Sequence, residues 1–160
     1  MLTRKLFDKQ WIFLSSLFVL TSFLIGLWAS PGNQSWYSTL KQPAFMPPNW
    51  VFPVVWTLLY LLLATIARLL WELRHESGMK WALVFFVLQM IGNWMWSPVF
   101  FVAHQMYIAL GLLVVILGLS LMSMLSVIQT RLWLSMLWLP YIAWLGFALY
   151  LNAAVILLNA

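Results

Sequence analysis

Residues 106–128 read MYIALGLLVVILGLSLMSMLSVI, a run without one charged side chain. A helix needs about 20 mainly apolar residues to cross the hydrocarbon core of a bilayer, and this segment meets that length. Its apolar residues are continuous rather than alternating. Backbone groups in lipid must be bonded within the segment, so a helix is expected and not a barrel strand. Other stretches meet the same test: roughly Trp11–Ala29, Val51–Trp71, Trp81–Val102 and Trp133–Leu157. Charges and turn formers separate them, at Ser30-Pro31-Gly32-Asn33, from Glu72 to Lys80, at Ala103-His104-Gln105 and at Gln129-Thr130-Arg131. The expected fold class is an all-α membrane protein, a bundle of five transmembrane helices.

Composition agrees, since 65% of the 160 residues are hydrophobic and 7% charged, far from a soluble globular domain. No polar or Gly/Ser-rich linker divides the chain, so residues 1–160 read as one domain. The first apolar run follows Arg4, Lys5 and Lys9 and so resembles a signal peptide, but Leu27-Trp28-Ala29 lacks the small-x-small cleavage pattern. It is read as a true span. Arg4, Lys5, Lys9, Arg68, Arg74, Lys80 and Arg131 then share one side of the membrane, with Lys41 alone on the other. Positive charge collects on the cytoplasmic side, which places the N-terminus in the cytoplasm and the C-terminus outside. The net charge of +5 forms no continuous patch, so nucleic acid is not an expected partner. The absence of Cys removes disulfides, thiolate metal sites and Cys nucleophiles.

The one long connection, residues 30–50, carries Trp36, Tyr37, Phe45 and Trp50 among Pro43, Pro47 and Pro48. Prolines restrict the backbone and the rings seek burial, so the segment is expected to fold back over the helix ends as an extracytoplasmic lid. The plainer alternative is that its rings sit at the headgroup level. In the third span Gln89, Asn93 and Ser97 recur every four residues with Trp96 on nearly the same face. The fifth span repeats that spacing with Pro140, Trp144, Ala148 and Asn152, and the second offers Pro53, Trp56 and Tyr60. Buried amides are costly in lipid unless paired, so Asn93 and Asn152 should face the interior, either cross-linking helices or contacting a ligand. Pro53, Pro98 and Pro140 are expected to bend their spans and open space between helices. Ser22, Gly26 and Ser30 form a small-residue ridge suited to close helix packing.

Catalytic and metal signals are thin. Asp8, Glu72 and Glu76 are the only acids, all near span ends, which leaves no intramembrane carboxylate for a proton relay or cation site. His75 and His104 are isolated from other ligand types at metal spacing, so no metal or cofactor is expected and haem ligation by His104 is disfavoured. No nucleophile with its base and no phosphate-binding glycine loop is present.

Some blocks of sequence are more specific. They are Trp36-Tyr37 followed by Pro43-x-Phe45-x-Pro47-Pro48, then Trp56-Thr57-Leu58-Leu59-Tyr60, then Asn93-Trp94-x-Trp96-x-Pro98-x-Phe100-Phe101, and finally Pro140-Tyr141-x-x-Trp144-x-x-Phe147-Ala148-x-x-x-Asn152. In order and spacing, over almost the whole chain, this resembles the tryptophan-rich sensory protein family, also called the translocator protein or peripheral-type benzodiazepine receptor family. The resemblance implies a five-helix bundle, often a homodimer, with a pocket under the first loop that binds porphyrins and benzodiazepine-site drugs. Carried over by position, Tyr37, Pro47, Trp56, Asn93, Trp144 and Ala148 would line that pocket. It also implies a part for Trp56 and Trp144 in light-dependent breakdown of protoporphyrin. Trp36, Trp96 and Asn152 join the candidate ligand-binding set on their placement.

Departures from the family pattern matter too. Gln42-Pro43 stands where Lys-Pro is usual, with Lys41 one place earlier, and Phe45 replaces a Trp. No basic residue follows Arg131, so the sterol-associated pattern of animal members is missing. Phe86 and Met90 occupy the centre of the third helix, where some bacterial dimers carry small residues, so a dimer would use another face. The leading expectation is a receptor or carrier for a porphyrin or a related hydrophobic molecule, in a bacterial cell membrane among lipids. An enzyme degrading porphyrin in light is the less favoured alternative, and a scaffold without a ligand the third.

Overall fold

The structure, a computed structural model, describes residues 8–29 and 34–160. Arg4, Lys5 and the turn formers expected at Ser30-Pro31-Gly32-Asn33 lie outside the described residues. Among the described residues there is no strand, and five helices are long and apolar enough to cross a membrane. The elements are α1 (Lys9–Ala29), a short α2 (Gln34–Thr39), α3 (Val51–Glu72), α4 (Met79–Ser97), α5 (Met106–Ile128), α6 (Leu132–Met136) and α7 (Leu139–Asn159). α4 continues through Pro98–Val102 to complete the third span, and α6 with α7 makes the fifth.

The three span prolines act differently from one another. Pro53 is the third residue of α3 and Pro140 the second of α7. In a first turn the missing N–H would have no intrahelical acceptor anyway, so both prolines start helices instead of bending them. Pro140 also cannot donate to the carbonyl of Met136, and the fifth span breaks there. Leu137 and Trp138 turn through short-range bonds to Leu134 and Ser135, 3.2 and 3.1 Å. Pro98 alone falls where a helix is already running. Its missing donor widens the next turn to π geometry over Pro98–Val102, closed by Ala103 N–H on the Pro98 carbonyl at 3.0 Å. That wide turn ends at His104, whose φ is +55°.

α4 and α5 pack most extensively, followed by α5 on α7 and α1 on α3. Gly92 allows the first contact, since a Cβ there would sit 3.0 Å from Ile116 Cγ1. At the start of α4, Gly78 has φ +80°, and a side chain would overlap the Ser126 carbonyl. The core runs from Leu63, Ile66 and Leu70 on α3 through Phe86 and Ile116 to Trp138, Tyr141 and Leu145. Phe86 and Met90 are buried inside this core, Phe86 against Phe18 and Trp138, so they do not form an outer face. The outer faces carry exposed apolar side chains such as Phe13, Phe23 and Leu24, as expected of surfaces solvated by lipid tails.

Candidate functional site

Between the spans, beneath residues 37–49, lies a cavity of about 850 Å³ bounded by all five spans. This is within the size of small-molecule sites, which are mostly apolar with a few placed polar groups.

Its roof is the connection from α2 to α3. Trp36 stacks on His104 with centroids 4.1 Å apart, and Tyr37 meets Phe100 and Phe101 edge-on at 6.2 and 5.4 Å. The widened turn after Pro98 therefore supplies the platform on which the loop rests. At its other side the loop is tied to the end of α7. Lys41 N–H donates to Asn159 Oδ1 at 2.9 Å, and Asn159 Nδ2 donates back to the Lys41 carbonyl at 3.0 Å. Burial pushes the Tyr37 phenol above its ordinary pKa, so it remains neutral and hydrogen-bonding at physiological pH.

The walls are aromatic. Trp56 of α3 stacks on Tyr60 at 5.6 Å and meets Trp144 of α7 edge-on at 6.4 Å, while Phe52 also meets Trp144 edge-on at 6.1 Å. Trp96 stacks on Phe100 at 5.1 Å. At the floor a hydrogen-bonded chain crosses the bundle. Tyr60 Oη donates to Asn93 Oδ1 at 2.7 Å, Asn93 Nδ2 donates to Tyr141 Oη at 3.0 Å, and Tyr141 Oη donates to Gln89 Oε1 at 2.6 Å. Asn93 thus joins three spans and also borders the cavity. Asn152 donates to the Met106 carbonyl at 3.0 Å, but its Oδ1 is buried with no partner. The indole N–H groups of Trp96 and Trp144 are buried and unpartnered too. These three atoms are enclosed by their neighbours, on residues that border a largely apolar space, and among the described residues no Lys, Arg, Asp, Glu or His lines it.

Of the candidate residues, Tyr37, Trp56, Asn93, Trp96, Trp144, Ala148 and Asn152 border the cavity. Trp36 does not: it packs with Phe100 and His104 behind the roof. Pro47 is also absent from the lining, where its neighbours Met46 and Asn49 appear. Ser22 and Gly26 of the small-residue ridge border the cavity, and Ser22 accepts a hydrogen bond from Trp94 Nε1 at 3.1 Å. Sequence reasoning missed Tyr141 and Gln89 as the continuation of the Asn93 network, and Asn159 as the loop's anchor. Gln89 was visible as the first member of a polar stripe. Nothing in an apolar run marks a Tyr as a hydrogen-bonding partner rather than a packing ring. Among the described residues, no group of His, Cys, Asp or Glu could hold a metal ion.

Known proteins resemble this chain in sequence. The TspO/MBR family profile matches residues 13–158. The CrtK protein of Rhodobacter capsulatus is 38% identical over 133 residues, 81% of this chain and 81% of its own length. A tryptophan-rich sensory protein of Cereibacter sphaeroides is 36% identical over 124 residues, 78% of this chain and 77% of its own. The human translocator protein is 34% identical over 122 residues, covering 75% and 72%. The matched region takes in the loop, the aromatic walls and the Asn93 network alike. This chain is a multi-pass integral membrane protein that belongs to the TspO/MBR family.

Proposed function

We propose that the cavity binds a flat, largely apolar molecule of the porphyrin type, and that the protein acts as its membrane receptor or carrier, with residues 30–50 as the lid. One observation carries this reading: a largely apolar space of about 850 Å³ walled by Phe52, Trp56, Trp96 and Trp144, with Asn93 and Asn152 at its edge. Aromatic walls suit a flat π-system by stacking and burial, and the few polar side chains among them suit a ligand with a few polar atoms of its own. A cavity of this size counts against a scaffold without a ligand. The basic asymmetry supports a cytoplasmic N-terminus with the lid outside.

A specific observation favours an enzymatic second reading: Trp56 and Trp144 touch edge-on at the wall, where a bound porphyrin would meet both indoles. Changing each to Phe keeps a ring but removes the indole N–H and its more easily oxidised ring system. For a receptor, porphyrin affinity should fall by about 1 kcal/mol or less per site, the scale of an aromatic pair contact, and illumination should act as on wild type. For an enzyme, binding should survive while light-dependent porphyrin loss slows sharply. Abolished binding in both variants, with folding intact, would count against both readings.

A further inference from the structure

The cavity is not closed equally on all sides. Where its bordering residues belong to α4, α5, α7 or the Pro98–Val102 turn, every one is buried or half-buried. Near the lid, α1 and α3 differ. Phe23, Gly26 and Leu27 of α1 and Pro53 and Thr57 of α3 border the cavity, yet all are exposed, Phe23 to 60% and Leu27 to 52%. A side chain that touches an internal space and the outer surface together stands at an opening. The fastenings between these two helices lie at their other ends, where Trp11 Nε1 donates to Thr65 Oγ1 at 2.9 Å and Arg68 Nη2 to Asp8 Oδ2 at 3.0 Å. Nearer the lid, α1 is bonded to α4 instead, through Trp94 and Ser22.

Depth decides what this opening faces. α1 has 21 residues, long enough to match the hydrocarbon core of a bilayer. Phe23 comes six residues before the end of α1, and Thr57 six residues after the start of α3. At a rise of about 1.5 Å per residue, each lies about 9 Å inside its helix end, below the headgroups and among acyl chains. The edges of the gap suit that solvent. They are apolar except for Thr57, whose hydroxyl already donates to the Pro53 carbonyl at 2.8 Å. Gly26, between Phe23 and Leu27, keeps the gap wide: a Cβ there would meet nothing within 4 Å. Glycine is unfavourable inside a helix, and no close neighbour requires one here.

We infer that this gap is the doorway of the cavity: the ligand is a membrane-dissolved molecule that enters and leaves sideways, between α1 and α3, from the acyl chains of the lid-side leaflet. The inference rests on the reading of the cavity as a ligand site and adds the phase from which the ligand comes. A flat amphiphile fits such a passage. Its ring slips edgewise between the apolar edges, while its polar substituents stay at headgroup level, where the exposed Ser38, Gln42 and Asn49 also border the cavity. The lid closes the cavity toward water, and the gap opens it toward lipid.

The test uses full-length protein in lipid nanodiscs with protoporphyrin as the probe, its association and dissociation rates read from tryptophan quenching. The chain has no cysteine, so Gly26→Cys provides a single thiol that a bulky methanethiosulfonate reagent modifies and a reductant restores. Modification before porphyrin is added should slow association about ten-fold or more, and modification of the loaded protein should slow dissociation by the same factor. Reductant should restore both rates. Equal slowing leaves affinity unchanged, the mark of a blocked doorway. Gly111→Cys on α5, also exposed and with open space at its Cβ but not bordering the cavity, should not respond. Rates that ignore modification at position 26 would mean another route and overturn the inference while the ligand site stands. Faster dissociation alone would make position 26 a wall contact and would overturn it too. No saturable binding by the unmodified protein would refute the ligand site and the doorway together. Each comparison is made on the same folded molecules before and after modification, so variant stability does not enter.

Discussion

Tyr141 shows how much one hydroxyl does in this bundle. It accepts from Asn93 and donates to Gln89, completing a chain that starts at Tyr60, so three spans are joined through groups that lipid cannot solvate. Tyr141→Phe keeps the ring and strands one donor and one acceptor. Stability in a denaturing-detergent titration should fall by about 1–2 kcal/mol, the upper part of the range for hydrogen bonds within membranes. An unchanged midpoint would mean the network adds nothing to the helix packing. At this scale the sequence was partly legible. Asn93 and Asn152 stood out because an amide in an apolar run needs a reason, and both indeed face inward. Tyr141 and Trp138 did not stand out, because an aromatic side chain in such a run reads the same whether it packs or donates. Trp36 shows a related ambiguity. Its position in the loop predicted burial, but burial against His104 and Phe100 is indistinguishable in sequence from burial against a ligand.

Elements are joined by contacts far apart in sequence, and these were the least legible. The reciprocal pair between Asn159 and Lys41 spans 118 residues, and no local pattern marks it. Asn159→Ala should release that side of the lid while leaving the helices intact. A bound porphyrin should then dissociate about 2- to 10-fold faster, as expected for the loss of an ordinary hydrogen bond or two, with little change in association. Stopped-flow displacement checks this, and an unchanged dissociation rate would mean the loop does not gate the cavity. At the other end, Arg131 holds Glu76 through bonds of 2.9 and 2.7 Å, clipping the α3–α4 turn to the start of α6. The Arg131 hydrogen bond keeps the Glu76 carboxyl below its ordinary pKa of 4.5. The unfolded chain then binds the proton more readily, so the clip stabilises above pH 4.5 and its contribution is lost as pH falls through the lower folded value. Wild type should lose more thermal stability than Glu76→Gln between pH 7 and pH 3, and parallel curves would show that the pair is energetically silent. Proline effects were legible in kind but not in place. Whether a proline starts, breaks or widens a helix depends on where the helix begins, and only Pro98 fell inside one.

The whole molecule was the most legible scale. Length and continuity of the apolar runs give the spans directly, because lipid leaves the backbone few alternatives. The basic asymmetry predicts that a reporter after Ala160 and one between Glu72 and Lys80 lie on opposite sides of the membrane, which protease or cysteine-labelling access would check. The cavity was legible only as converging faces on separate helices. Its volume and the absence of charge from its lining among the described residues depend on how five segments close around it, which no single segment encodes. The claim that this space is a ligand site is tested most directly by titrating purified protein with protoporphyrin and following the fluorescence of its 12 tryptophans. Ala148→Phe, which puts a ring into the cavity wall, serves as the control. Wild type should show saturable quenching at one porphyrin per chain, weakened about ten-fold or more in Ala148→Phe at an unchanged unfolding midpoint. Quenching that never saturates, or that is identical in both proteins, would contradict it.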